Sequence, residues 1–124
     1  MTLTPDRIIN ELAYCTGSEN FYEHWTRRII FTDGIKHMAD ICGAYWLIDA
    51  IASHQTNNQV AAAYFQVWTL TKAPTDTYPD RFILTCEDGN GNTLARQIIK
   101  FSDFPLDDIR IYVTDKTMLL PSEY

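Results

Sequence analysis

The apolar period of the chain changes from about 3.6 residues to two near residue 60, and no other feature narrows its possible folds as far. On the helical side, Thr4 and Pro5 supply an N-cap and a first-turn proline. Ile8, Ile9 and Leu12 then recur at helical spacing, which predicts a helix over 5–15 that stops before Gly17. Phe21, Tyr22, His24 and Trp25 crowd the stretch 18–28, which is compatible with a short helix and leads into the β-rich run Ile29, Ile30, Phe31. Thr32 and Asp33 can cap the next element. The spacing of Ile35, Met38, Ile41, Cys42, Tyr45, Ile48 and Ala52 predicts one long central helix reaching about His54. Gly43 lies inside it at a cost of about 1 kcal/mol relative to alanine and is not expected to end it.

From Val60 the alternation places Tyr64, Gln66, Trp68 and Leu70 on one face of a strand and Phe65, Val67 and Thr69 on the other. Residues 72–80, with Pro74 and Pro79, form a loop. Arg81 to Cys86 and Leu94 to Phe101 flank Asp88-Gly89-Asn90-Gly91, whose Asp-Gly and Asn-Gly pairs supply the positive φ that a hairpin turn demands. Ile109 to Val113 is a further β-rich run, and Asp115-Lys116-Thr117 turns the chain toward Met118, Leu119 and Leu120. Helices first and strands afterwards predict an α+β fold. Its N-terminal helices would pack on one face of an antiparallel sheet of about four strands, within a single domain spanning 1–124.

Composition excludes several function classes. With 46% apolar and 21% charged residues the chain is unlike a disordered segment. A net charge of −6, with no clustering of its ten Lys and Arg, disfavours direct binding to nucleic acid. Wholly apolar stretches such as Ala44 to Ile48 are far too short to span a membrane, and the first fifteen residues lack a signal-peptide pattern. The cysteines Cys15, Cys42 and Cys86 form no CxxC pair and are expected to be reduced core residues, so a cytoplasmic location without cofactor or membrane contact is expected.

Most chemical motifs fail on inspection. Asp88, Asn90 and Asn92 imitate the start of a calcium loop, but Thr93 and Ile99 stand where its glycine and glutamate belong. Asp33, His37 and Asp40 share a helical face. Asp33 suits the first helical turn, however, and Asp40 can pair with Lys36 or His37, so no metal is expected. His24 and His54 have no recognisable partner at ligand spacing and read as structural or surface residues.

Asp49 is the anomaly. At about 100° per residue it falls among Met38, Cys42, Tyr45 and Ala52, on the apolar stripe between Tyr45 and Ser53. A buried carboxylate needs donors, which Ser53, Tyr45, the indoles of Trp25 or Trp68, and Arg27, Arg28 or Arg81 could supply. Two roles follow: a satisfied core acid tying helix to sheet, or an acceptor in a small pocket with Tyr45, Asp49 and Ser53 as ligand-binding candidates. Leu47 and Ile51 lie on the opposite side of the continuous helix, which implies central burial or a second contact surface such as a homodimer. Acids at Asp103, Asp107, Asp108, Asp115 and Glu123 make either a solvated surface or a negative patch resembling nucleic acid.

Four segments, Phe31 to Lys36, Gly43 to Ser53, Leu84 to Asn92 and Leu120-Pro121-Ser122-Glu123-Tyr124, are similar to a family of small uncharacterised bacterial proteins, and the resemblance spans most of the chain. It implies a single compact domain, sometimes encoded near mobile elements, with no assigned activity, cofactor or catalytic residue to carry onto these positions. Because no catalytic constellation survives, a non-enzymatic module that binds a protein partner or a second copy of itself is expected. The alternatives are a small-ligand binder or enzyme with a pocket around Asp49, and an acidic inhibitor that mimics nucleic acid.

Overall fold

Thr4 opens the first helix as its sequence predicts. Its hydroxyl accepts from the Arg7 N–H at 3.3 Å, Pro5 occupies the first turn, and α1 (Pro5–Ala13) buries Ile8 and Leu12. The structure, a computed structural model, describes residues 3–16 and 19–124, so the stop expected at Gly17 lies outside the described residues. The aromatic stretch after it forms a strand pair rather than a helix: β1 (Phe21–Glu23) and β2 (Ile30–Thr32) are antiparallel, with Tyr22 opposite Phe31.

The long central helix is in fact two. The helix α2 (Asp33–Cys42) is capped by the Thr32 hydroxyl, which accepts from Ile35 N–H at 3.3 Å, and it ends at Gly43 with φ +61°. The Gly43 and Ala44 amides both turn back to the Ala39 carbonyl, a left-handed closure that glycine adopts without strain. The next helix, α3 (Tyr45–His54), starts on a new axis, and its phase is set afresh. Ala44, Leu47, Ile48, Ile51 and Ala52 therefore face the core, whereas Tyr45, Asp49 and Ser53 face solvent. The face assigned from one continuous helix is thus rotated: Ile48 and Ala52 stay in the core, Tyr45 and Asp49 turn to solvent, and of the two roles expected for Leu47 and Ile51 the structure shows central burial. A short helix α4 (Asn58–Ala62), capped by Asn57 and burying Val60, occupies the place where the strand was expected to begin.

The remaining strands are β3 (Phe65–Lys72), β4 (Phe82–Glu87), β5 (Thr93–Ile99), β6 (Asp108–Thr114) and β7 (Thr117–Leu119), followed by the 3-10 turn Pro121–Glu123. They form one seven-stranded sheet in the order β1-β2-β7-β6-β3-β4-β5. The expected four antiparallel strands are thus an undercount, and the sheet is mixed, because β2 runs parallel to β7 with Ile30 beside Thr117. Such a pairing joins residues far apart in sequence and has no local signature. The β4–β5 hairpin forms as predicted, with Gly89 at φ +85° and Gly91 at φ +87° in its turn.

Alternation along the strands separates two faces. Trp68 and Leu70 of β3, Phe82, Leu84 and Cys86 of β4, and Ile109, Ile111 and Val113 of β6 are buried in one core with Ile35, Met38, Leu47 and Ile51 of the helices. This buried face carries most of the hydrophobic stabilisation, at roughly 25 cal/mol per Å² of apolar surface removed from water.

Candidate functional site

The β1–β2 connection positions the residues around Asp49. His24 N–H donates to Ile29 O at 3.0 Å and Arg27 N–H to His24 O at 2.8 Å, closing a tight turn that carries His24 inward and Trp25 outward. The His24 ring is 4% exposed. Its Nδ1 accepts the Thr26 backbone N–H at 3.2 Å and lies 2.8 Å from Thr26 Oγ1, and its Nε2 lies 2.7 Å from Asp49 Oδ1. With a backbone donor into Nδ1, the ring proton sits on Nε2 and is donated to Asp49. Both nitrogens are therefore engaged, and the imidazole acts as a peg fixing the hairpin to α3. Trp25, 79% exposed, packs its ring 5.2 Å from His24 and donates Nε1–H to the same Asp49 oxygen at 3.4 Å.

Asp49 thus reaches solvent, with its side chain 56% exposed, rather than lying in the core. Of its expected donors the structure supplies the Trp25 indole. The Trp68 indole donates to Gln66 instead, Arg81 Nε–H donates to Ala73 O at 2.7 Å, and the Ser53 hydroxyl donates to Ala50 O at 2.7 Å. The Tyr45 hydroxyl donates to Asp40. This bond, followed by that from Lys36 at 3.1 Å, holds the Asp40 carboxyl below the usual range, and the bond to Asp40 raises the Tyr45 phenol. Tyr45, Asp49 and Ser53 share the outer side of α3, and none of them lines the cavities beside Arg27, His37, Thr71, Cys42 or Ile9.

Two further groupings bear on chemistry. His37 Nε2 lies 2.7 Å from Glu11 Oε2, tying α2 to α1 beside a cavity of about 570 Å³ that Cys15 also lines. Burial, reinforced by Glu123, Glu11 and Asp33, raises the Cys15 thiol, which is the opposite of what an activated nucleophile needs. Asp33 accepts from the Tyr22 hydroxyl at 2.9 Å and the Asn20 N–H at 3.1 Å, so Asp33, His37 and Asp40 each hold a separate partner. Among the described residues no three His, Cys, Asp or Glu side chains are grouped to hold a metal ion, and no helix is long and apolar enough to cross a membrane. Asp103, Asp107 and Asp108 fall within six residues, and the other acids toward the end of the chain stand apart from them. Asp108 and Asp115 stand at opposite ends of β6, roughly 20 Å apart at about 3.3 Å per residue, and Glu123 caps α2.

The sheet face away from the helices is not covered by them and mixes apolar, threonine and charged side chains. Its cross-strand rows are Tyr112–Val67–Glu87, Arg110–Thr69–Thr85–Arg96 and Asp108–Thr71–Ile83–Ile98. Phe65, Tyr112 and Tyr124 form a mutual cluster at one end, with ring centroids 5.1 to 5.4 Å apart. Val67, Ile83 and Tyr112 are half-buried, and Ile98 is 46% exposed. The two arginines are balanced by Glu87 and Asp108, so this face is neutral on a chain of charge −6.

A model of a family of unknown function, DUF6876, matches residues 6–124. The chain belongs to this family. No curated protein and no solved structure matches it. Membership agrees with the resemblance seen in the sequence and assigns no activity, so for this DUF6876 member the geometry alone must carry the functional argument.

Sequence reasoning missed two components of that geometry. His24 was taken as unpartnered because its acceptor, Asp49, is 25 residues away on an element whose phase was misassigned. The open face was half legible, since the alternation Phe65, Val67, Thr69 already marks an outer row. The expected packing of the helices on one face of the sheet leaves that outer row uncovered, and what the sequence did not show is the number and order of the strands that extend it.

Proposed function

We propose that this DUF6876 protein is a non-catalytic interaction module that self-associates through the open face of its sheet. The observation that carries this is the pattern of that face: a middle row of Thr69 and Thr85 between two arginines, Val67 in the row on one side and Ile83 and Ile98 in the row on the other, aromatic at one end, with two acids in the outer rows. A two-fold pairing presents the same patch twice, so each copy must supply the charges that complement the other, and one of balanced sign does this. The β-branched and threonine rows suit sheet-on-sheet packing at about 10 Å.

Sedimentation velocity over a wide concentration range tests this. The wild type should shift toward a dimer, and Val67→Glu should raise the dissociation constant at least about tenfold by setting a second carboxylate beside Glu87 on that face. Ile98→Lys, on the edge strand and already half-exposed, should do the same without disturbing the monomer fold. A chain that stays monomeric at every concentration would overturn the proposal.

A further inference from the structure

Three of the chain's ten Lys and Arg residues, Arg27, Arg28 and Lys116, line one cavity of about 400 Å³ with a single acid, Asp115. That volume is within the range of small-molecule sites. The walls are hydrogen-bonded to one another: Ile30 N–H donates to Lys116 O at 3.0 Å, joining the β1–β2 and β6–β7 turns, and Asp115 N–H donates to Tyr64 O at 3.2 Å, joining the second turn to the start of β3. The floor is the reciprocal amide pair of Gln55 and Gln66 at 2.9 and 3.0 Å. The second of these is 3% exposed and also accepts from the Trp68 indole. Arg27 meets only Glu23 at 3.8 Å, in a pair open to water, and no described carboxylate lies within 4.0 Å of Arg28 or Lys116. Three exposed cations thus border the cavity against one lining acid, Asp115.

Backbone conformation points to the same place. The non-glycine residues with positive φ among the described residues are Arg27 at +61°, Asp115 at +49° and Lys116 at +61°, and all three line this cavity. Each costs conformational energy that glycine would avoid. Arg27 follows the turn at the tip of β1–β2, and Lys116 is the second residue of the two-residue β6–β7 turn, where glycine is the favoured choice. The chain does place glycine at the left-handed positions of the β4–β5 turn, Gly89 and Gly91, which border no such cavity.

We propose that this cavity binds a small anion with several acceptor oxygens, a phosphate or a polycarboxylate group. Arg27 and Lys116 would be retained at glycine-favoured positions because they are needed to bind it. Guanidinium and ammonium groups meet such oxygens with short, charge-assisted hydrogen bonds. The proposal is independent of self-association through the sheet face.

Amide resonances of the full chain, followed on titration with inorganic phosphate and separately with citrate at ionic strength matched with chloride, test it. The backbone amides of Arg27, Arg28, Asp115 and Lys116 and the Gln55 side-chain amide should shift saturably. Response to phosphate alone identifies a phosphate site, to citrate alone a carboxylate site, and to both a general oxyanion site. Lys116→Gly should raise the urea midpoint, because it relieves the backbone, yet weaken binding about tenfold. Arg28→Gln, which leaves the strained positions untouched, should weaken it comparably without the stability gain. The assignment is overturned if neither probe shifts these resonances beyond chloride, or if both variants bind as tightly as the wild type.

Discussion

Replacing Gly34 by alanine should destabilise the fold by about 1–2 kcal/mol, although alanine is the better helix former by up to about 1 kcal/mol. The reason is Glu123. Its carboxylate accepts from the Thr32 hydroxyl at 2.7 Å, the Leu120 N–H at 3.0 Å and the Gly34 N–H at 3.2 Å, so a residue distant in sequence completes the N-terminal cap of α2. A Cβ on Gly34 would stand 2.8 Å from even the farther carboxylate oxygen and would evict it. Hydrogen bonds to a charged group contribute about 1.5–3 kcal/mol when buried. This carboxylate is half-buried and also favoured by the helix dipole, so its three bonds together are worth about 2–3 kcal/mol. Subtracting the propensity gain leaves the net loss stated.

The sign of the effect should reverse once Glu123 is absent. Glu123→Ala alone should cost about 2–3 kcal/mol, and Gly34→Ala added to it should be neutral or stabilising by up to about 1 kcal/mol, giving a coupling of roughly 2 kcal/mol. Urea unfolding of the four chains, followed by far-ultraviolet circular dichroism with equal m-values, provides the cycle. If Gly34→Ala costs the same with and without Glu123, the steric argument is wrong and the glycine is needed for some other reason.

Three further outcomes are expected. Asp49→Ala removes the acceptor of the buried His24 Nε2–H, but water can reach that position, so unfolding measurements should show a loss of about 1 kcal/mol; Asp49→Asn, which keeps an acceptor, should lose about half as much. Burial pushes the Cys42 thiol to about 11 and the Cys86 thiol to about 12, so a thiol reagent at neutral pH should label Cys15 first and the other two only on unfolding, as mass spectrometry would reveal. Asp33, Asp40 and Asp88 are held below the ordinary carboxyl value of 3.8, chiefly by the Tyr22 hydroxyl, the Tyr45 hydroxyl and the Asn92 side chain respectively. Their stabilisation is complete above that value and lost as pH falls through the lower folded values, so the acid limb of a stability profile should flatten in Asp33→Asn and Asp88→Asn.

Where the sequence was informative, the determining interactions were local. The Thr4 cap, the faces of β3 and the Asp88–Gly91 turn each depend on residues within a few positions of one another, and each appears where the pattern placed it. The strands β1, β2 and β7 have three residues each and hold their places through pairs such as Ile30 with Thr117, which no window of sequence contains. The exposure of Asp49 depends on Gly43. That residue fits a helix interior at a modest cost and a left-handed cap at none, and the second choice turns Tyr45 and Asp49 from the apolar stripe to solvent.

That choice connects the whole argument, because left-handed backbone is where this chain's residue selection is most telling. At Gly43, Gly89 and Gly91 the residue and the conformation agree, and the structure needs only a turn there. At Arg27 and Lys116 they disagree, and both disagreements border one cavity where cations outnumber acids on an otherwise acidic protein. Arg27, Asp115 and Lys116 all border that cavity with positive φ, and at Arg27 and Lys116 glycine would spare the backbone its strain, which is what a site that needs their charge predicts.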